Sequence, residues 1–586
     1  MTFPRLVIWV LCATILLATP LHAGTPATPA TPEELRSPTN VVFHFKQEGE
    51  FTGWPDKIKT TARAYLWVPE ECKKLRGILV LCANVPEMML AGHPEIRKVC
   101  RENDLGIVWC PQSFMNFKRF GDKKTMANTE AVAFLQQLLD GLAATSGYPE
   151  VATVPWIPIG ESGHLLMSDA LVEAAPGRAI AGIWLKNNHL PPHDRTTPAL
   201  VIFGSAQEWG QDKADTNKNT TFFNRWASNA TGYEMVVNER KAHPDWPLTY
   251  AIDGQSGHFD CSEKVASITA HYIDAVSNAR LPRGGGTNLS ALDLTKGFLA
   301  EIPAPGHTAT PPVAWGDATN KALPWFFDKE SAEAAQALGS VDWKAQSQLP
   351  AFADTNGTVM PFIFNGISSI AINAQPKPYT NASTGAVTNA PVVFTEPDGI
   401  TFHLQGVLLD TVPETFVGAG AGEKLAKTPG TPVVEWMNGC IEPLGNGTFR
   451  IAVDRNWPNV ANYMAVRQPG TAGVRGVVQP AGISIKDANS EGKPQKITFD
   501  QIPDVKAGTV SIPLKAVSDS GLPIRFFVDA GPAVIQGDKL VFTKIPANAK
   551  LPLTVTVGAW QFGRWAEPKI KKADIVKQSF KILPAH

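Results

Sequence analysis

Six short runs between residues 77 and 252 are apolar at almost every position: Gly77–Ala83, Gly106–Cys110, Val154–Ile159, Ala179–Leu185, Ala199–Phe203 and Leu248–Ile252. A strand with one wet face alternates apolar and polar residues. A continuous run is expected of a strand covered on both faces. Between the runs lie segments with helical spacing: Glu95–Asn103, a run after Gly160, Glu263–Val276, and Thr129–Ala144, where Val132, Leu135, Leu138, Leu139 and Leu142 recur. Strands alternating with helices predict a doubly wound α/β domain, a parallel sheet with helices on both faces.

The pattern changes near Leu281. Arg283-Gly-Gly-Gly286 reads as a hinge, and residues 290–345 are mixed and expected to trail over the α/β domain. From Pro350 onward, short strand-like pieces such as Phe362-Ile-Phe, Pro391-Val-Val-Phe, Ile400-Thr-Phe-His-Leu and Phe449-Arg-Ile-Ala-Val alternate with Gly, Asn and Pro turns. Leu553-Thr-Val-Thr-Val557 alternates strictly, as a half-buried strand does. All-β, sandwich-like modules follow from this spacing. The predicted organisation is an α/β domain over 41–345, a β-rich domain over 346–490 and a β-sandwich domain over 491–586.

The first 40 residues fall outside that scheme. Arg5, the apolar run Leu6–Ala18 and a small residue at Ala23 read as a secretory signal peptide over 1–23, followed by a Pro/Thr-rich spacer over 24–40. The apolar run is short against the ~20 residues a spanning helix needs. The expected location is therefore secreted or periplasmic, with no stable membrane insertion after cleavage. The formal net charge is -1, so no basic excess is available for nucleic acid. Six cysteines remain beyond the signal: Cys72, Cys82, Cys100, Cys110, Cys261 and Cys440. They contain no CxxC pair, and bridges in an oxidising compartment and buried inert thiols stand as equal readings.

The candidate chemistry sits at the strand ends. Gly160-Glu-Ser-Gly-His164 lies directly after one apolar run and before a helix. A sharp strand-to-helix turn projects a serine above a sheet edge, and small neighbours relieve the strained backbone. Gly160 and Gly163 fit that need. His164 stands where a second glycine is usual, which puts the close helix–strand packing in question and offers a residue that could line the pocket. After Phe203, the loop Gly204-Ser-Ala-Gln-Glu208 offers Glu208 as the acid, with Asp212 and Asp215 as runners-up. Asp253-Gly-Gln-Ser-Gly-His258 then offers His258 as general base, on a loop that can reach back to the serine. The oxyanion donors expected are the backbone N–H of Gly163 and that of Asn84 or Val85, on the loop after the first buried run. Serine chemistry of this kind calls for no cofactor and no metal.

Residues 41–280, from Leu66-Trp-Val-Pro through Gly257-His-Phe-Asp260, resemble the α/β-hydrolase superfamily in its dienelactone-hydrolase or esterase-like branch. The resemblance implies a serine hydrolase without a large lid. Gln495–Asp504, Ser520–Val528, Ala530–Asp538 and Leu553–Val557 resemble bacterial secreted Ig-like domains, which imply a spacer or adhesive role. The expected function is a secreted hydrolase of carboxylic esters, its suggested partner an acylated polysaccharide bearing acyl or feruloyl esters. A serine peptidase of the same fold and a degenerate carbohydrate-binding or adhesion protein are the alternatives. Trp436, Trp457 and Tyr463 could form a platform for sugar rings, though a core role is the stronger reading, as it is for Trp325-Phe-Phe327. Asn219 and Asn446 open Asn-x-Thr sites that matter only in a glycosylating host.

Overall fold

The computed structural model describes residues 41–585 apart from 54–57, 112–127, 187–189, 191–194, 205–224, 255–257, 283–285, 304–307, 341, 343–344, 365–366, 377, 381–386, 390, 417–421 and 459. The signal and spacer segments expected at the N-terminus lie outside the described residues.

Eight strands form the first sheet: β1 (Phe45–Gly53), β2 (Ile58–Trp67), β3 (Gly77–Cys82), β4 (Leu105–Cys110), β5 (Trp156–Glu161), β6 (Gly182–Leu185), β7 (Ala199–Gly204) and β8 (Leu248–Asp253). Their spatial order is β1-β2-β4-β3-β5-β6-β7-β8. From β3 to β8 all pairings are parallel. Every residue of β3, β4, β5, β7 and β8 is buried, as their unbroken apolar runs require. The all-parallel expectation is corrected at one edge, where β2 runs antiparallel to both β1 and β4. Four residues separate β1 from β2, too few for the crossover that a parallel pair needs, so they form a hairpin. β1 is too polar to stand out as the continuous runs do, and in β2 only the end, Ala64–Trp67, is apolar throughout.

The helices are α1 (Val85–Gly92), α2 (Pro94–Glu102), α3 (Asn128–Ser146), α4 (Leu165–Ala174), α5 (Arg225–Ala242), α6 (Glu263–Arg280) and α7 (Lys329–Gly339). Ser262 caps α6 by accepting from Val265 N–H, and Asp328 caps α7 by accepting from Ser331 N–H. Through α7 the mixed segment joins the α/β domain: Ala332, Ala335 and Leu338 bury one stripe of the helix in its core. Trp325 and Phe326 are buried there too. The six cysteines are free and buried. Among the described residues, no helix is long and apolar enough to cross a membrane.

The rest of the chain is strand-rich. The middle region centres on a sheet whose strands run in the order Phe362–Phe364, Ile367–Ile372, Val477–Ser484, Tyr463–Gln468 and Val433–Asn438. Its core gathers Phe402, Ile441, Phe449, Met464 and Val466. The last region holds a four-stranded sheet with Arg525–Ala530, Leu553–Trp560 and Val576–Leu583 side by side. Alternate residues of the Arg525–Ala530 strand serve different neighbours. Phe526 and Val528 join the core of the last region, which is continuous with that of the α/β domain, whereas Phe527 joins that of the middle region.

Polar groups fix this junction. Asp529, fully buried, accepts from Lys46 Nζ at 2.7 Å, Tyr65 OH at 3.2 Å and Lys577 Nζ at 3.2 Å. Burial alone would raise the Asp529 carboxyl, but the two ammonium groups outweigh it and hold the pKa below the ordinary value. Arg455 of the middle region donates to the carbonyls of Val528 and Asp529, and Arg63 of β2 donates to the carbonyl of Arg455.

Candidate active site

The chain leaves β5 at Glu161 and turns at Ser162, whose φ is +52°. That backbone is strained for a residue other than glycine, and it projects the side chain out of the line of the strand. One turn, Ser162–His164, leads into α4. Gly160 makes the turn possible. A Cβ there would lie 2.6 Å from the His164 carbonyl oxygen and 2.8 Å from Ser168 Oγ. A Cβ at Gly163 would meet nothing within 4 Å. The close approach of helix to strand therefore falls on Gly160, and His164 needs no smaller substitute. Its Nδ1 lies 3.6 Å from Glu87 Oε1 of α1.

His258, on the loop from β8 to α6, places Nε2 2.9 Å from Ser162 Oγ. The imidazole is buried and Ser162 is partly exposed. Sequence reasoning missed a third group. Glu161, also fully buried, has Oε1 3.3 Å from the same His258 Nε2. The Asn84 side chain donates to the Glu161 carboxylate and to its backbone carbonyl, the latter at 3.3 Å. The Glu161 N–H donates to Glu87 Oε1 at 2.9 Å. Burial raises the Glu87 carboxyl above its ordinary pKa, and His164 opposes that rise without cancelling it. The signal for Glu161 was present in the sequence: a lone charge ending an otherwise apolar strand, directly before the serine.

The remaining candidates divide. Glu208, Asp212 and Asp215 lie outside the described residues. The N–H groups of Asn84 and Val85 are both engaged within their turn, Asn84 with the Cys82 carbonyl at 2.7 Å and Val85 with Asn84 Oδ1 at 3.0 Å. At the ends of β6 and β8, Lys186 and Asp253 form a fully buried ion pair that the sequence did not announce. Among the described residues, no group of three or more His, Cys, Asp or Glu side chains is placed to hold a metal.

The strand order of the first sheet, with a strained serine at the end of β5 and a histidine after β8, defines the α/β-hydrolase fold. No protein-family model matches the chain, and no curated protein matches it. Among solved structures, it is similar to poly(aspartic acid) hydrolase-1 from Sphingomonas sp. KT-1, at 11% identity and a TM-score of 0.26 over 40% of this chain and 99% of that one. It is similar to LpqC, a poly(3-hydroxybutyrate) depolymerase from Bordetella parapertussis, at 12% identity and a TM-score of 0.25 over 41% and 91%. XC6422 from Xanthomonas campestris, an α/β serine hydrolase without a lid, is matched at 12% identity and a TM-score of 0.24 over 40% and 95%.

Proposed function

We propose that the chain is a serine hydrolase of carboxylic esters, with Ser162 as nucleophile, His258 as general base and Glu208 as the acid that orients the imidazole. The observation that carries this reading is the 2.9 Å contact of His258 Nε2 with the hydroxyl of a strained, partly exposed serine. A serine hydroxyl is a weak nucleophile until a base takes its proton. Ser162 Oγ attacks the ester carbonyl carbon as its proton passes to Nε2. The tetrahedral intermediate collapses, the C–O bond to the alcohol breaks, and Nε2–H protonates the departing oxygen. Water then enters by the same route and releases the acid.

Glu161 meets the nitrogen that serves the serine. It is thus placed to stabilise the imidazolium and not to fix the tautomer through Nδ1, which is the part assigned to Glu208. Gly163 supplies the first oxyanion N–H. Val85 supplies the second, its present acceptor being a side-chain oxygen and not a backbone carbonyl as at Asn84. Each such donor is worth about 3 kcal/mol in the transition state. Export by the N-terminal segment and action on acylated extracellular polysaccharides belong to the same proposal, supported by the Arg5–Ala23 pattern and the strand-rich regions that follow the hydrolase fold.

The test is turnover of p-nitrophenyl acetate and fluorophosphonate labelling read by mass spectrometry. The expected result is a label on Ser162, with both label and turnover lost in Ser162→Ala; kcat should fall by about 10⁴-fold or more. A well-folded protein that neither turns over nor takes a label overturns the reading and favours the glycan-binding alternative. Cleavage of an anilide but not of an ester would favour the peptidase.

A further inference from the structure

Three consecutive residues of the loop after β8 are each held from a different side. His258 faces Ser162. The Phe259 ring, edge-on to the His258 imidazole at 4.6 Å between centroids, lies 4.3 Å from the ring of Tyr463. Asp260, buried, accepts from Arg467 at 3.0 Å. Tyr463 and Arg467 belong to one strand of the middle region, Tyr463–Gln468, and their even spacing sets them on one face of it. Arg467 is itself braced by Glu435 at 2.9 Å, from the adjacent strand. Around these contacts Val85 of α1 packs with Met437, Ala465 and Val478, and Met89, Phe259 and Tyr463 close the cluster. Burial, and then the Glu161 carboxylate, push the phenol of Tyr463 up to about 12. The middle region is thus seated against the histidine loop and the start of α1, the two segments that carry the proposed base and an oxyanion donor.

We infer that the strand Tyr463–Gln468 is part of the active site: Tyr463, through Phe259, and Arg467, through Asp260, are positioning residues that hold His258 against Ser162. The inference rests on the serine-hydrolase reading for its catalytic consequence and on the contacts alone for its structural one. Misplacement by an ångström costs on the order of 10²-fold in rate. The β region therefore completes the site and is not a detachable accessory.

The experiment uses the full chain carrying Tyr463→Ala, Tyr463→Phe, Arg467→Ala or Arg467→Lys. Three quantities are measured: melting temperature, amide hydrogen exchange of the peptide spanning residues 253–263, and the rate of fluorophosphonate labelling at Ser162. Expected are a lowered melting temperature in both alanine variants and, at a temperature where each is still fully folded, faster exchange of that peptide and labelling slowed at least tenfold. Tyr463→Phe keeps the ring and should recover most of the lost rate. Arg467→Lys keeps the charge and should recover part of it. The pH at which labelling is half-maximal should also move in Arg467→Ala, since His258 loses its fixed geometry. Labelling and exchange within twofold of the parent in both alanine variants overturn the inference, as does a Phe variant as slow as the Ala variant. If the parent protein takes no label at all, the hydrolase reading fails instead, and exchange of the peptide still decides whether the strand holds the loop.

Discussion

The α/β domain and the last β region bury their strands in opposite ways. In β3, β4, β5, β7 and β8 both faces lie inside one domain, and every position is buried. In Val576–Leu583 only Phe580 and Ile582 are fully buried, while alternate positions face water. A parallel sheet between helices needs no neighbour to be complete. A sheet with one dry face must find a cover, and here the core of the last region runs on into that of the α/β domain, while Phe527 of the Arg525–Ala530 strand joins the core of the middle region. The first kind of burial makes a domain; the second ties domains together. The site follows the same division. Its nucleophile and base come from the self-contained sheet, and the side chains bracing the base come from the region that depends on its neighbours.

Buried charge should test this most severely. Lys186→Met removes the buried ammonium that faces Asp253 inside the α/β domain and should cost about 3–5 kcal/mol, read by urea unfolding. Asp529→Ala instead removes the junction partner of Lys577 and leaves Lys46 with Glu48. Both lysines are partly exposed and can turn toward water, so about 1–3 kcal/mol is expected, with the last region becoming susceptible to limited proteolysis before the α/β domain. Equal losses in the two variants would erase the distinction between self-contained and shared burial.

The elbow offers a sharper contrast. Gly160→Ala forces a Cβ to within 2.6 Å of backbone and should cost about 1–3 kcal/mol and most of the labelling at Ser162. Gly163→Ala meets open space, so its fold should be kept, as checked by its melting temperature. Valine truncation compares the two regions directly. Val80→Ala in β3 should cost about 2 kcal/mol, and Val517→Ala, 67% exposed, within about 0.5 kcal/mol of nothing.

The smallest effect expected is at the pair His271–Asp328, which joins α6 to the cap of α7 at 2.7 Å. Asp328 raises the pKa of His271, and His271 in turn holds Asp328 at about 2. The raised histidine stabilises the fold below its ordinary 6.5, and that contribution is lost as pH rises through the folded value. The lowered aspartate contributes above its ordinary 3.8, a contribution lost as pH falls toward 2. Asp328→Asn keeps the cap but drops the charge. Its melting temperature should fall below the parent's by about 1 °C or less near pH 5, with the gap closing by pH 9, since both side chains are more than a third exposed.

What the sequence determined by itself is local in range. Continuous apolar runs located β3 to β8, because burial on both faces leaves no polar position, and helical spacing located α2, α3 and α6. The glycine before Ser162, the strand behind it and the order serine then histidine marked the chemistry for the same reason: an elbow is built from neighbouring residues. The hairpin β1–β2 escaped notice because β1 is largely polar and half wet, and only the end of β2, Ala64–Trp67, is apolar and buried throughout. Tertiary structure alone decided the rest. Nothing near Lys186 announces Asp253, nothing in the middle region announces Asp529, and Asp260 and Arg467 stand 207 residues apart. Such pairs are fixed by how closed surfaces fit, and a charge shows its partner only after both have left water. Glu161 lies between the two cases. Its position before the serine was legible, but its part at His258 Nε2 waited on the fold that brought the histidine loop back over the sheet.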